Sequence, residues 1–406
     1  MTPRPPSFRS RAASGLTEAA AVGRFELQVC RSCGAVQYPP REACHRCLSS
    51  VLDWRLQPGG AELLSETTLL HSHDEFFRSR LPIRLGLVRL DNGPSAVVFL
   101  DDGVAAPPCR VRVDVRLDRA AQGVLVAFAE GGGVTRSIQS KLLREMSCDP
   151  RGRKVLVTDA GTPVGVALVR ALVDAGAAVI WAGCSPAAAT RGGLEDILGA
   201  LEPVRLTPFD ATSDESVRGA AGQIALQVDI LINNAEPIGT PNAGTAAGEV
   251  GQQRASGGPG APAGGLLPNS PPPLVGAVPA HGAGPALVRL AREFAPAMQA
   301  RGASAAATAG DPMMAWVNLF TITLAASRDA ACSLAQSQRA EMLPAGIRVI
   351  NVFPGPEIAP VALAQSIVKA LQDGIEDLYP GEVAQEWLTQ WRNNPGELER
   401  ARAPDR

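Results

Sequence analysis

VTDAGTPVG, residues 157–165, decides the fold of the second half of the chain. An apolar run, Val155 to Val157, precedes it, and a helical pattern rich in Ala, Val and Leu follows it. A buried strand, a tight turn and a helix in that order are typical of a dinucleotide-binding turn. However, Asp159 and Pro163 stand where such turns carry glycine. The turn is therefore either a cofactor site with unusual residues or the remnant of one.

Strand and helix patterns alternate from Lys154 onward. The strand-like runs are KVLVTDA, AVIWAG, VRLTPFD, DILINNA and IRVINVFPG, and VGVALVRALVDAG has helical spacing. This alternation predicts a doubly wound, Rossmann-type parallel sheet over residues 153–385. A segment rich in Pro, Gly and Ala, residues 237–285, interrupts the pattern. We expect a loosely held loop insertion there, and a partner-binding arm is the alternative.

Four cysteines in the first half of the chain form two CxxC pairs, and they are Cys30, Cys33, Cys44 and Cys47. Each pair presents two thiolates to one ion, and two pairs complete the tetrahedral shell that zinc prefers. Because four protein ligands leave no open position, the zinc is expected to be structural. A redox-active CxxC is the competing interpretation. His45 is expected to be a bystander, and His71 and His73 to lie in a solvated loop.

Short runs with strand character follow the cysteines, separated by Gly, Pro and Asp, and predict a small all-β barrel. They are AELLSETTLL, IRLGLVRLD, SAVVFLDD, CRVRVDVRLD and GVLVAFAE. The fold class is therefore α/β plus all-β. The expected units are a short disordered leader over 1–24, a zinc ribbon over 25–58, a barrel over 59–135, a linker over 136–152, the Rossmann-type domain over 153–385 and a C-terminal tail over 386–406.

Composition excludes several classes of function. The formal net charge of -2 gives no general attraction to nucleic acid or to an anionic membrane. No run of about 18 apolar residues is present, and the N-terminal arginines precede no apolar stretch. A cytoplasmic protein is expected. In the tail, Trp387 and Trp391 are four residues apart and should pack one helical face against the domain or a neighbouring subunit.

The first half resembles a known family. The stretch GRFELQVCRSCGAVQYPPREACHRCLSSVLDWRLQPGGAELLSETTL, followed by LPIRLGLVRLDNG, resembles the zinc-ribbon plus OB-fold proteins that associate with thiolase-type enzymes acting on acyl-CoA. The resemblance covers residues 8–130. It implies a non-catalytic companion that docks on a thiolase-fold enzyme, with acyl-CoA as a candidate ligand. OB barrels also bind nucleic acid, but the basic, aromatic-rich surface needed for that is missing from this sequence.

The second half resembles the short-chain dehydrogenase/reductase family over residues 152–385. VTDAGTPVG matches the glycine-rich turn, FDAT the adenine-side Asp element, DILINNAE the NNAG element, and AGIRVINVFPGP the strand and turn after the catalytic helix. The resemblance carries vestigial cofactor positions onto Thr158, Gly161, Gly165, Asp210 and Asn233.

Two substitutions in the turn oppose cofactor binding. The carboxylate of Asp159 would repel a pyrophosphate about 5 Å away by roughly 3 kcal/mol at an effective dielectric near 20. Pro163 removes an amide donor. Cys184 or a neighbour stands where relatives carry a ribose-binding Asp or a phosphate-binding Arg. NAD(P) is therefore not expected to bind.

The catalytic groups of that family are also missing. Relatives use Ser, Tyr and Lys, and the resemblance places Thr321, Leu324 and Arg328 at these positions. Ala283 falls near an Asn that supports a water relay in some relatives. An unorthodox catalyst built from Arg328 and Asp329 is the alternative. The catalytic region lacks Tyr and Lys in any alignment, since the whole chain has only the tyrosines Tyr38 and Tyr379 and the lysines Lys141, Lys154 and Lys369.

Two helices with apolar positions at helical spacing complete the second half, PALVRLAREFAPAM and ASRDAACSLAQSQRAEML. The resemblance implies that they pair across a two-fold axis in a homodimer. The leading hypothesis is a scaffold or accessory subunit of a thiolase- or aldolase-type complex. The alternative is an active NAD(P)-dependent hydroxyacyl-CoA or hydroxysteroid dehydrogenase fused to a thiolase adaptor. A third is an acyl-CoA-binding module without a fixed enzyme partner.

Overall fold

The computed structural model describes residues 4–7, 10–131, 140–185, 194–234, 283–305, 309–320 and 325–393. The ribbon is a three-stranded antiparallel sheet with β1, Glu26–Cys30, in the centre. It pairs with β2, Val36–Gln37, and with β3, Leu52–Leu56. The strand β1 is buried along its whole length.

The barrel consists of five strands that close in the order β4-β5-β6-β8-β7. They are β4, Gly60–Leu69, β5, Ile83–Leu90, β6, Ser95–Leu100, β7, Cys109–Leu117, and β8, Gly123–Ala129. Buried and exposed residues alternate along β6 and β7, as expected of strands with one face toward a core. All five sequence-predicted runs form these strands, so the predicted barrel is confirmed. A short helix, α2, Glu75–Arg78, lies between β4 and β5.

The leader corrects one sequence-based prediction. Residues 1–24 were expected to be disordered, but α1, Ser14–Ala21, is a helix that follows a short 3-10 turn, Arg11–Ala13. Its buried side chains, Leu16, Ala19 and Ala20, are spaced i, i+3, i+4 and form one apolar stripe. The hydroxyl of Thr17 accepts a hydrogen bond from the Gly123 amide at 3.0 Å. The stripe packs against the barrel. The helix was missed in the sequence because the leader begins with a stretch rich in Pro and Arg.

The second half is a seven-stranded sheet in the order β11-β10-β9-β12-β13-β14-β15, and every pairing is parallel. The strands are β9, Lys154–Val157, β10, Val179–Cys184, β11, Val204–Pro208, β12, Ile230–Asn233, β13, Met314–Leu319, β14, Ile347–Val352, and β15, Asp377–Leu378. The order reverses between β9 and β12, which confirms the predicted doubly wound fold. Two of the strands, β13 and β15, were not identified from the sequence.

Helices cover both faces of the sheet. They are α4, Pro163–Asp174, α5, Leu194–Leu198, α6, Asp214–Ile224, α7, Ala283–Ala305, α8, Ala325–Met342, and α9, Pro360–Asp373. One apolar core lies between the sheet and the helices α4 and α9, and another lies under α6, α7 and the end of α8. Residues 237–282 of the expected insertion lie outside the described residues. No helix within the described ranges is both long and apolar enough to cross a membrane.

The predicted C-terminal boundary needs a correction. The last described helix, α10, Glu382–Asn393, begins before residue 386 and belongs to the domain. Its Trp387 is buried, as expected, and stacks on Tyr379, which in turn stacks on Phe353. The side chain of Trp391 lies outside the described residues. This aromatic stack holds α10 on the sheet, so the domain continues through the helix.

Buried charges join the barrel to the Rossmann-type domain. Arg348, on β14, is fully buried, and its Nη2 donates to the carbonyls of Leu117 and Asp118 at 3.2 Å each. Its Nη1 donates to the Gly374 carbonyl at 3.0 Å and lies 3.5 Å from Glu376 Oε1. The linker also takes part, since its helix α3, Lys141–Arg144, is largely buried at this junction. A polar seam, the buried hydrogen bonds and ion pair of Arg348, therefore joins the two halves.

We expect Arg348→Met to destabilise the protein by about 3 kcal/mol, because it leaves barrel carbonyls without a donor and Glu376 without one of its cations. Urea unfolding followed by far-UV circular dichroism measures the change. The control is Arg205→Met, at an exposed position of the edge strand β11, where the effect should stay within about 0.5 kcal/mol. Equal urea midpoints for the two variants would contradict a stabilising role of the seam.

Candidate functional site

The four predicted cysteines converge at one end of the ribbon. Their sulfur atoms all lie within 4.8 Å of one another. The Sγ atoms of Cys30 and Cys47 are 3.5 Å apart, and those of Cys33 and Cys44 are 3.6 Å apart. Zinc–sulfur bonds of about 2.3 Å in a tetrahedron separate the sulfurs by about 3.8 Å. The residues present therefore fit one zinc ion with a closed shell, which leaves no coordination position for chemistry.

Backbone amides prepare these thiols for a cation. Burial opposes ionisation of Cys30, but amide hydrogen bonds from Cys33 and Ser32 lower its pKa to about 6. Amides of Cys47 and Arg46 lower the pKa of Cys44. For Cys47 the Ser49 amide favours the thiolate, yet the neighbouring cysteines outweigh it and raise its pKa to about 12. Ionisation of Cys47 thus needs the positive charge of a metal.

The residue after each pair of cysteines has a left-handed backbone. Gly34 has φ +71° and Leu48 has φ +62°. Each donates its amide to the carbonyl of the first cysteine of its pair, Cys30 or Cys44. The two knuckles therefore have the same geometry although only one uses glycine at this position.

The histidines lie where the sequence predicted. The Nδ1 atom of His45 is 3.2 Å from Gln37 Oε1, and the backbone amide of His45 donates to the same oxygen. Gln37 thus holds His45 beside the cysteines without making it a member of the ligand cluster. His71 and His73 are exposed, with their rings in edge contact at 4.9 Å.

The turn after β9 keeps the path of a dinucleotide turn. Asp159 has φ +48°, the left-handed conformation that the glycine of working turns supplies. A Cβ added at Gly165 would lie 2.4 Å from the carbonyl oxygen of Asp159 and 2.6 Å from the Cα of Ala160. Gly165 is therefore required for the close approach of α4 to the turn. Pro163 is the first residue of α4, where its fixed φ favours a helix start.

Side chains of the protein itself occupy the polar groups of this turn. Thr162 caps α4, and its Oγ1 accepts from the Gly165 amide at 3.0 Å. Asn234 Nδ2 donates to the carbonyl of Asp159 at 3.1 Å and to Thr162 Oγ1 at 2.9 Å. The Thr162 amide donates to the Asp159 carbonyl, and Pro163 has no amide hydrogen. Internal bonds thus engage the amides of Thr162 and Gly165.

The structure brings some of the predicted cofactor positions together. The Thr158 amide donates to the Ile232 carbonyl, and Thr158 Oγ1 accepts from the Asn234 amide at 2.9 Å. Asn233 is buried at the end of β12 beside this pair, whereas Gly161 is exposed at the tip of the turn. Asn234, which closes the turn, was missed, although its position after Asn233 in DILINNA gave a signal.

Two other candidate positions have structural partners of their own. Asp210 Oδ1 accepts hydrogen bonds from the amide and the hydroxyl of Thr212 at 2.8 and 2.6 Å, so this carboxylate closes its own turn. Cys184 is buried at the end of β10, and its carbonyl accepts from the Phe209 amide. Both residues thus stabilise the carboxyl ends of β10 and β11.

Of the candidate catalytic positions, only Arg328 falls within α8. Thr321 and Leu324 lie outside the described residues, and so does the side chain of Arg328, whose backbone is helical. Ala283 begins α7, and its side chain is likewise outside them. Farther along α8, Gln338 Oε1 accepts from Nδ2 of the buried Asn318 at 3.2 Å. This bond holds the second half of α8 on β13, and no pattern in the sequence predicted it.

All the tyrosines and lysines of the chain are placed. Tyr38 is in the ribbon, and Tyr379 is stacked between Phe353 and Trp387 beside the edge strand β15. Since strands are about 4.8 Å apart, β15 is about 10 Å from β13. The lysines lie on α3, at the start of β9 and on α9, and they are Lys141, Lys154 and Lys369.

Two family models match the first part of the chain. Residues 17–53 match the family described as "ChsH2, rubredoxin-like zinc ribbon domain". Residues 54–122 match the family described as "ChsH2, C-terminal OB-fold domain". The expected ribbon and OB-fold are thereby confirmed. No curated protein sequence matches the chain.

Solved structures resemble the two halves separately. A short-chain dehydrogenase from Burkholderia cenocepacia J2315 in complex with NADP is 22% identical over 63% of this chain and 100% of its own, with a TM-score of 0.44. A hydroxysteroid dehydrogenase from Escherichia coli is 16% identical over 57% and 95%, with a TM-score of 0.36. An Ltp2-ChsH2(DUF35) aldolase is 24% identical over 30% and 97%, with a TM-score of 0.26. The ligands and partners named here belong to those structures.

Cys33→Ser should abolish stoichiometric zinc and melt the ribbon, because a three-thiolate shell no longer offsets the folding cost of the knuckles. Elemental analysis and differential scanning calorimetry measure these effects. Cys109→Ser is the matched control, since Cys109 is a partly buried cysteine of the barrel outside the cluster. Zinc retained at one ion per chain in Cys33→Ser would refute the assignment.

Gly165→Ala should cost about 2 kcal/mol of unfolding free energy, because the added methyl group meets backbone atoms that cannot move aside without opening the turn. Gly219→Ala is the control, since Gly219 lies on an exposed face of α6 with nothing within 4 Å of the new Cβ. It should stabilise the protein by about 0.5–1 kcal/mol through helix propensity. Chemical denaturation compares the two, and a neutral Gly165→Ala would mean that the turn is looser than described.

Proposed function

We propose that the chain is a scaffold or accessory subunit of a thiolase- or aldolase-type acyl-CoA-processing complex. In this proposal the ribbon and barrel dock the catalytic partner. The dehydrogenase-like domain provides a rigid, dimerising base and performs no hydride transfer.

The placement of the tyrosines and lysines carries the proposal. Hydride transfer to or from a carbonyl needs a proton donor at the substrate oxygen, which a Tyr with a nearby Lys supplies in dehydrogenases of this fold. The ring of Tyr379 is stacked between two aromatic rings beside the edge strand. Lys154 Nζ donates to Gln227 at the amino end of β9, and Lys369 pairs with Asp373 on α9. The proton-transfer pair of the fold is therefore missing.

The closed turn supports the same conclusion for the cofactor. A pyrophosphate binds where free amides point out of a helix N-terminus. Here Pro163 supplies none, Gly165 is capped by Thr162, and Asn234 ties the cap to the carbonyl of Asp159. The carboxylate of Asp159 adds negative charge beside the phosphate position. Binding of NAD(P) would have to break these bonds and overcome that repulsion.

The ribbon offers a surface for the partner. Leu48, Val51 and Leu56 are exposed by 81%, 49% and 63%, and all three belong to the ribbon. Exposed apolar side chains are candidates for contact with a protein partner. A ChsH2 domain accompanies the aldolase Ltp2 in the solved structure named above, and we propose a thiolase-fold enzyme of that class as the partner. The helices α7 and α8 are proposed to form the homodimer.

Two measurements test the proposal. Isothermal titration calorimetry of the zinc-loaded protein with NAD(H) and NADP(H) should show no binding at 1 mM nucleotide, on the order of 10-fold above usual cofactor affinities. Co-expression with a thiolase-fold enzyme encoded beside it should yield a stable complex in size-exclusion chromatography. A lone protein that reduces NAD(P) with a hydroxyacyl-CoA would overturn the proposal in favour of an active dehydrogenase.

A pair of variants locates the docking surface. Leu56→Asp should weaken the complex at least tenfold, because it places a charge in an apolar interface. Leu226→Asp is the matched control, since Leu226 is 71% exposed and lies after α6 in the other domain. Zinc content verifies that Leu56→Asp has kept its ribbon. Equal loss of the complex in both variants would move the interface away from the ribbon.

A further inference from the structure

A cavity of about 270 Å³ lies outside the barrel, between α2, the linker helix α3 and the N-terminal segment. Most of its wall is apolar, and the main apolar side chains are Phe76, Phe77, Phe99, Val124, Leu142 and Met146. Three charged residues, Asp118, Arg119 and Glu145, also line it. A largely apolar space of this volume has the character of a small-molecule site.

The aromatic part of the wall is held by contacts of its own. The rings of Phe76 and Phe77 meet edge to face, with their centroids 5.2 Å apart. The guanidinium of Arg80 lies over the ring of Phe76, 3.6 Å from its centroid. These contacts fix two of the three phenylalanine rings, so the chamber exists before a ligand enters it.

The charged groups at the cavity are paired with protein partners. Glu145 Oε2 accepts from Arg80 Nε at 2.8 Å and lies 3.3 Å from Arg119 Nη1. The other oxygen of Glu145 accepts from the Gly310 amide at 2.6 Å. Both oxygens of this buried carboxylate are therefore engaged, and both guanidiniums have it as their counter-ion.

The cluster as a whole has no net formal charge. Asp118 is the fourth member, and its Oδ1 accepts two backbone amides of the turn after β7. The two positive charges of Arg80 and Arg119 balance the two negative charges of Asp118 and Glu145. An ion of either sign that entered the chamber would lose its hydration without meeting an opposite net charge. The chamber therefore favours a neutral ligand.

The volume sets the size of that ligand. An apolar cavity of about 150 Å³ binds benzene, which has six non-hydrogen atoms. This chamber is about 1.8 times as large and so has room for roughly ten to twelve non-hydrogen atoms. Two fused rings have this size, and their flat faces suit a wall that contains three phenylalanines.

We propose that this chamber binds a neutral, apolar compound of about two fused rings, with the rings against Phe76, Phe77 and Phe99. Burial of the apolar surface of the ligand supplies the affinity. Such binding goes beyond the scaffold role and does not depend on which enzyme is the partner.

The N-terminal segment connects the chamber to the second half of the chain. Pro5 and Pro6 line the space, and the neighbouring Arg4 donates from Nη2 to the Pro344 carbonyl at 2.8 Å. The Gly310 amide holds Glu145 from the same half. The chamber is therefore complete only when the two halves are docked, and a ligand there should stabilise the docked state.

The probe is 2-naphthylmethanol, a neutral molecule of about twelve non-hydrogen atoms. Calorimetry with the full-length, zinc-loaded protein should give a Kd on the order of 100 μM. Its charged analogues, 2-naphthoate and 2-naphthylmethylammonium, should bind at least tenfold more weakly, because the cluster offers neither of them a net opposite charge. Either ion binding as tightly as the alcohol would overturn the proposal, and so would no binding of the alcohol at 1 mM.

Val124→Trp should fill the chamber and weaken binding of 2-naphthylmethanol more than tenfold. Val97→Trp is the control, since Val97 is 61% exposed on β6 and does not line the cavity, and it should leave the Kd unchanged. Equal Kd values in Val124→Trp and the unmodified protein would overturn the proposal.

Should Val124→Trp not fold, crystals of the unmodified protein with 6-bromo-2-naphthylmethanol decide the question. The anomalous signal of bromine should lie inside the chamber, beside Phe77 and Phe99. A bromine peak at any other place, or no peak, overturns the proposal.

Discussion

The buried arginines at the seam between barrel and sheet are the interaction on which the arrangement of the molecule depends. Arg348 reaches from β14 into the carbonyls at the end of β7, and Arg116 returns from β7 to Asp373 at the end of α9 at 2.8 Å. A guanidinium carries five donors in a fixed plane, so it specifies direction as well as attraction. With 0% exposure at Arg348, slippage of one half against the other would strand a buried charge.

Glycines permit the close approach that these arginines need. Gly374 has φ +69°, and a Cβ there would lie 2.0 Å from the carbonyl oxygen of Met146. Gly310 has φ +98° and donates its amide to Glu145. The linker between the domains is thus pressed against the sheet by backbone contacts.

The parts of the fold that local patterns encode were predictable. Cysteine spacing gave the four ligands, alternation gave the barrel strands, and the strand-turn-helix sequence gave the switch point after β9. The helix α1 was missed because its apolar stripe is only three residues long. The strand β13, MAWVNL, was missed as well. The seam had no local signal at all, since Arg348 and its acceptor Leu117 are 231 residues apart. Contacts between residues so far apart in the sequence can be identified only from the folded structure.

The polar groups are satisfied in different ways at the ribbon cysteines, at the turn after β9 and at the junction of barrel and linker. The ribbon cysteines need one cation and then form a closed shell, and the turn after β9 is closed by Thr162 and Asn234. At the junction of barrel and linker, two buried guanidiniums, those of Arg80 and Arg119, share the single carboxylate of Glu145. A buried cation without a full set of acceptors is retained only at a cost in stability. The Gly310 amide, which donates to the other oxygen of Glu145, completes the coordination of this carboxylate and ties the charged cluster to the second half of the chain.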